Sequence, residues 1–430
     1  MTVAELPAQT DVVIVGGGLA GLAAARRLHR AGTPWLLVEA AERLGGRVRT
    51  DAVDGYLIDR GFQVVNTAYP RLSALVDLTS LGLGYFTQGV LVRRGEMLHR
   101  MVHPLRDPFG AARTVLTGLA DAAGVESRRI SSVGRAGDRL RLAALAARCA
   151  SLPVDRLLTA PETSTEAALR RAGLSDRIVE ELLRPFLSGV FGERELSTSS
   201  HVFAMIVRSF ARGRIGLPAA GIGALPEAVA TPLPESLIAL GVSAASVRPG
   251  LVRTSAGAVR CRAVLVATDP ATATALLPAL GRVRMHSLTT YYHSTAEPPL
   301  GEPILLLDGD RRELVANTVV VSRAAPTYAP AGRHLVATSV AGPVVPPESV
   351  VRAELARLYG RAVDDWEHLT TVPVPEALPA APAPQGRLRK PVATGEGIFV
   401  AGDHRGSPSV QGALASGWRA AGAVVGYLQG

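Results

Sequence analysis

Residues 11–39 read DVVIVGGGLAGLAAARRLHRAGTPWLLVE, and their order settles the fold of the first part of the chain. Asp11 to Val15 is a short apolar run ending at glycine, the pattern of a strand buried on both faces. Gly16-Gly17-Gly18-Leu19-Ala20-Gly21 follows at once, and then a stretch in which Leu19, Leu22, Ala25 and Leu28 recur at helical spacing. Gly32 stands where the helix should end, and a second apolar run, Trp35 to Val38, ends in Glu39. The pattern is strand, glycine turn, helix, strand, acid. Gly16 permits the tight turn, Gly18 lets backbone approach a pyrophosphate, and Gly21 lets helix and strand pack closely. Free N–H groups at the helix start then face the phosphates. Glu39, eighteen residues past Gly21, is placed to accept hydrogen bonds from ribose hydroxyls. These features together imply a bound dinucleotide.

The wider composition agrees with a folded enzyme-sized chain. Of 430 residues, 47% are hydrophobic and 19% charged, which excludes a disordered or coiled-coil protein. The length suits three domains of ordinary size or two larger interleaved ones. The net charge of +9 raises nucleic acid as a partner, but the only lysine is Lys390 and the arginines are scattered. Without a basic run or stacking aromatics, no nucleic-acid function is expected; the positive field favours an anionic ligand or a membrane surface. Cys149 and Cys261 have no partner at metal or disulfide spacing and read as buried small hydrophobes in a reducing compartment. No metal site is expected. Met1 to Gln9 lacks a basic region followed by an apolar run, and no stretch of eighteen uninterrupted apolar residues occurs. A cytoplasmic location is therefore expected, with the oligomeric state left open.

Beyond Glu39 the chain continues Ala40-Ala41-Glu42-Arg43-Leu44-Gly45-Gly46-Arg47. Here it resembles the flavoprotein superfamily of amine oxidases, phytoene desaturases and protoporphyrinogen oxidases, whose motif runs from the glycine turn through an acid to G-G-R. The resemblance implies non-covalent FAD, with Leu19, Ala20, Ala40, Arg43, Gly45, Gly46 and Arg47 added to its site. It also makes Gly61, Phe62, Gln63 and Val64 neighbours of the flavin ring. Arg184 to Gly192 (RPFLSGVFG) and Pro218 to Glu227 are similar to the family's substrate-domain signature and to its return loop, where Gly-Ile-Gly replaces Gly-Gly. Ala244 falls where a strand backbone contacts the adenine. Near the end, Gly402-Asp403 and the segment Ser409-Val410-Gln411-Gly412-Ala413 resemble the turn and helix that hold the ribityl chain and face the flavin edge. A helix start there would stabilise negative charge arising on reduction.

The resemblance implies an α/β fold: a Rossmann-type FAD-binding domain of the two-dinucleotide-binding-domain kind, interleaved with an α+β substrate domain. Residues 1–95, 215–280 and 388–430 are assigned to the first, and 96–214 and 281–387 to the second. From Leu98 to about Leu217 helical spacing prevails, with Thr163 and Glu166 as a capping box, Gly173 closing that helix and Ser175 capping the next. Residues 282–378 alternate apolar runs and turns, predicting an antiparallel sheet with a helix over Glu348 to Tyr359. A proline-rich crossing strap follows.

In chemistry, the resemblance implies hydride removal from a substrate C–H by FAD, reoxidised by oxygen or another acceptor. Catalytic side chains are not fixed by any motif; His286, Tyr291 and Tyr292 are the candidates. Tyr291 and Tyr292 alternate on one strand, so only one can face a cavity. Val283 to Pro299 lacks the lysine that amine oxidases of the family usually carry, and Ser409 stands where they often place an aromatic. Dehydrogenation of an apolar or polycyclic small molecule is thus the expected reaction, with amine oxidation as the alternative. A lipid-escort role of the GDP-dissociation-inhibitor type would predict loss of the glycine turn or the terminal helix motif. Both are intact.

Overall fold

The computed structural model describes residues 6–102, 130–132 and 134–430. The opening motif folds as read: strand Gln9–Val15, helix Leu19–Arg30, strand Trp35–Glu39. These strands join an eight-stranded sheet. Ile238–Leu240, Trp35–Glu39, Gln9–Val15 and Gly257–Val266 run parallel in that order, and Ile398–Val400 lies parallel to the last of them. Leu251–Thr254 and Ala244–Arg248 extend Gly257–Val266 as an antiparallel meander.

Alternate residues of the central strands enter two different apolar clusters. Val12, Ile14, Leu37 and Leu265 join Leu22, Ala25 and Leu28 of the first helix and Leu414, Ala421 and Val424 of the last. Val13, Val15, Leu36, Val38, Val264 and Val266 face the meander side. Burial of both faces is why these strands read as unbroken apolar runs. The last helix, Val410–Gln429, crosses the first so closely that a Cβ on Gly417 would overlap the carbonyl oxygen of Ala20. The two motifs from opposite ends of the sequence therefore meet.

A second eight-stranded sheet carries the other half of the molecule, in the order Glu367–Pro379, Met285–Thr295, His334–Ala341, Asn317–Val320, Leu305–Asp308, Gly89–Arg94, Met97–Val102, Ile130–Ser132. Helix Glu348–Tyr359 packs on it through Val351, Leu355 and Leu358, matching the predicted span. Within residues 282–378 every pairing is antiparallel, as expected, and Gly89–Arg94 joins that sheet in parallel through Leu305–Asp308. That pairing links Gly89–Arg94, within the expected cofactor segment 1–95, to a strand of the expected substrate segment. Met97–Val102 is a strand, not part of a helical region.

The proline strap needs correcting. Pro373, Pro375 and Pro379 belong to strand Glu367–Pro379, the edge of the sheet against Met285–Thr295. An edge strand needs donors toward one side only, so proline is tolerated there. In the helical region the cap is Ser164, whose hydroxyl accepts from Ala167 N–H, and not Thr163. Ser175 does cap the next helix, and the chain stays helical through Pro185 to Phe191 by way of a π-helical turn at Val179–Leu183.

Candidate functional site

The site is built where the parallel strands end. A Cβ on Gly21 would overlap the carbonyl oxygen of Gly16, and one on Gly16 would meet the Ala267 carbonyl oxygen at 2.8 Å, so this turn admits no side chain. A Cβ on Gly18 would meet nothing within 4 Å. The turn is thus closed on its protein side and open at Gly18. Gly18 is also the N-cap of the first helix, with no side-chain cap and no acid in the first turn, which leaves the helix start free for an anion.

Glu39 is held at the end of its strand. Its carboxylate accepts from Gly17 N–H at 2.6 Å and from Ala41 N–H at 2.9 Å, which ties the acid to the turn it was expected to serve. Ala40 beside it is exposed. Gly45 N–H donates to the Gly17 carbonyl at 3.0 Å, so the G-G-R segment lies against the glycine turn. From it Arg47 reaches across the chain to Asp403 at 2.8 Å and to the Ala377 carbonyl at 2.9 Å. Asp403 holds the Arg47 guanidinium above its ordinary range against the opposing effect of burial. Arg43 is turned instead to Asp51 and the Thr50 carbonyl, half-exposed.

Asp59 closes the next layer and was not singled out as a site residue. It is 3% exposed and accepts from Thr50 Oγ1 at 2.6 Å, Ile222 N–H at 3.0 Å and Tyr328 O–H at 2.8 Å. Burial, opposed by these hydrogen bonds, pushes its pKa up to about 6. The return loop is seated by the same group: Ile222 binds Asp59 while Gly223 N–H donates to Thr50 Oγ1 at 2.8 Å. The Gly-Ile-Gly variation thus keeps a backbone contact, made to Thr50 and Asp59. Asp59 precedes the Gly61–Val64 segment, where Phe62 N–H donates to Thr290 Oγ1 at 3.2 Å and the Gln63 amide to the carbonyls of Arg47 and Arg60.

At the far end, Ser409 caps the last helix by accepting from Gly412 N–H at 3.1 Å, placing Val410 and Ala413 in its first turn. Gly402 is held on both sides by Ser416 Oγ. His404, next to Asp403, is buried with neither ring nitrogen hydrogen-bonded, and burial drives its pKa down to about 4. Arg49 Nε, close in charge to Glu39, is likewise buried without a partner. Ala244 opens its strand beside Val242, whose N–H donates to the Glu39 carbonyl. An open glycine turn, an acid beside it and unpaired donors next to Arg47 and Asp403 together fit a dinucleotide. No group of His, Cys, Asp and Glu suited to a metal ion occurs among the described residues.

The catalytic candidates fare differently. Tyr291 and Tyr292 do face opposite ways, into the helix-side cluster and toward Phe62 and Val64. Both phenols are committed, however, Tyr291 to the Pro346 carbonyl and Tyr292 to that of Asp59 at 2.8 Å. His286 is half-buried against Gly192 and Leu378, with Glu193, Glu195 and Arg284 as its charged neighbours, all on substrate-domain segments. Elsewhere in the substrate half, the buried His201 is paired with the Ala160 carbonyl at 2.8 Å.

Comparison with known proteins supports this picture. The family of flavin-containing amine oxidoreductases matches residues 19–425, and the chain belongs to that family. Coproporphyrinogen III oxidase of Bacillus subtilis (strain 168) is 31% identical over 194 residues, 42% of this chain and 36% of that protein. Putrescine oxidase of Kocuria rosea is 40% identical over 95 residues, 22% of this chain and 19% of that one. The matched stretches thus span well under two thirds of these curated relatives. In the crystal structure of an oxidoreductase from Methanosarcina mazei the same fold extends over 95% of this chain and 99% of that one, with a TM-score of 0.71 and 17% identity. No helix among the described residues is long and apolar enough to cross a membrane.

Proposed function

We propose that the chain dehydrogenates an apolar or polycyclic small molecule, using FAD held without a covalent bond. One observation carries the reading: the segment Gly61–Val64 adjoins an apolar cluster in which Phe62 and Val64 pack with Tyr292, Val319, Phe86, Leu369 and Val372. Asp59, the acid that precedes this segment, already accepts from three donors. Such surroundings can bury a hydrocarbon framework and exclude water, but they offer no carboxylate to an ammonium group. The longer of the two matched stretches, to an oxidase of a porphyrinogen, points the same way.

FAD, when bound, supplies a two-electron hydride acceptor. The protein's part is positioning. Glu39 would take the ribose hydroxyls and the N–H groups after Gly18 the pyrophosphate. Arg47 and Asp403 would fix the ribityl side, and the first turn of the last helix would face the edge of the ring where charge develops. In this reading residues 1–95, 215–280 and 388–430 serve the cofactor, and 96–214 and 281–387 the substrate. A cytoplasmic site with peripheral membrane contact fits an apolar substrate, and Val344, Val345 and Val350 are exposed on one segment of the substrate domain.

The test is anaerobic mixing of the oxidised enzyme with a porphyrinogen and polyene panel and with an amine panel. Bleaching of the flavin band by the first panel is expected; bleaching by simple amines alone would replace this reading with amine oxidation.

A further inference from the structure

Three arginines on the outer side of the cofactor domain gather about one indole. The Cζ atoms of Arg27, Arg30 and Arg71 lie 5.5, 5.5 and 4.6 Å from the ring centroid of Trp418. Some arginines elsewhere in the molecule pair with acids, as Arg47 does with Asp403 and Arg357 with Asp308, and others with backbone carbonyls, as Arg208 does. Among the described residues, none of these three makes an ion pair. Their protein partners are the indole face and the Trp418 carbonyl, which accepts from Arg27 at 2.8 Å.

The seat is shaped for them. A Cβ on Gly422 would overlap the Arg27 guanidinium, so the glycine makes its place. The Arg71 backbone N–H is fixed by Gln411 Oε1 at 2.9 Å, while its Nε is buried without an acceptor. Repulsion from Arg27 and Arg30, after burial, lowers the Arg71 pKa. An indole attracts guanidinium groups through its quadrupole but cannot neutralise three of them. A tetrahedral oxyanion can, through forked N–H donors. Arg27 and Trp418 each lie eight residues into their helices, about 12 Å from the helix starts assigned to the cofactor, while Arg71 is tied to Gln411 nearer the start of the last helix.

We propose that Arg27, Arg30 and Arg71, arranged about Trp418, form a second anion site that takes a phosphate group, free or on a lipid headgroup. Trp418 also supplies the readout, because the other two tryptophans, Trp35 and Trp366, are buried. The FAD-saturated holoenzyme is titrated with inorganic phosphate at ionic strength held constant with chloride, and separately with phosphatidylglycerol or phosphatidylcholine vesicles. Saturable change in tryptophan emission with phosphate, lost in Trp418→Phe and weakened at least ten-fold in Arg30→Gln and Arg71→Gln, establishes the site for free phosphate. The same pattern with phosphatidylglycerol vesicles alone assigns it to a headgroup. No response in either arm, an equal response to chloride, or unchanged affinity in Arg30→Gln overturns the proposal. Arg30 is exposed, so its variant keeps the test valid if Arg71→Gln does not fold.

Discussion

Glu39 and Asp59 are two acids of one domain with opposite duties. Glu39 is only part-buried, and its carboxylate accepts two backbone N–H bonds at the rim of the turn. Replacing it with alanine removes charge-assisted hydrogen bonds worth about 1.5–3 kcal/mol. The expected outcome is FAD affinity lower by roughly 10- to 100-fold in a reconstitution titration of the apoprotein; unchanged affinity would remove Glu39 from the cofactor site. Asp59 is sealed between the domains, with its folded pKa raised to about 6 from 3.8. Between those values the folded state binds more protons than the unfolded one, so this group's contribution falls as pH rises. It is fully present below about pH 4 and gone above about pH 6. Asp59→Asn keeps the shape and removes the titration. The variant should therefore gain stability relative to the native protein from pH 4 to pH 7, by at most about 3 kcal/mol. Parallel denaturation curves across that range would show that Asp59 does not titrate as described.

The elements divide into those whose sequence announces them and those defined by distant partners. The first strand, turn and helix were legible because each requirement is local: glycine where no Cβ fits, apolar residues at the helical period, an acid at the next strand end. The Glu348–Tyr359 helix was legible for the same reason. The parallel pairing of Gly89–Arg94 with Leu305–Asp308 was not, since nothing within either segment names a partner over two hundred residues away. Pro373, Pro375 and Pro379 suggested a strap because proline marks a strand only when its edge position is known. Within the site, Asp59 was not legible, because its value as a junction depends on Thr50, Ile222 and Tyr328 converging on it. The crossing of first and last helices gives a direct test at this scale. Gly417→Ala forces a Cβ onto the Ala20 carbonyl and should cost about 1–3 kcal/mol. Gly426→Ala, in the same helix with nothing within 4 Å, should stabilise by about 0.4–1 kcal/mol. Equal effects on the thermal midpoint would mean that the two helices are not in close contact.

Across the whole molecule, the chain passes repeatedly between two sheets, and its two most specific motifs, far apart in sequence, share one cleft. Arg47 and Asp403 are 356 residues apart and 2.8 Å from each other. Asp59 binds groups of both halves, Thr50 and Ile222 on one side and Tyr292 and Tyr328 on the other. Unfolding should therefore be a single transition, with flavin release and loss of far-ultraviolet ellipticity coinciding. Added FAD at a hundred times its dissociation constant should stabilise by about 2.7 kcal/mol. Two separated transitions would contradict the interlocked arrangement. The central claim, that the opening turn and the closing helix jointly grip FAD without a covalent bond, is tested most directly by the visible spectrum of the purified protein before and after heat denaturation. A flavin band near one equivalent per chain, recovered wholly in the supernatant as FAD, is the result expected. A colourless protein that takes up no added FAD, or a flavin that stays with the precipitate, would contradict it.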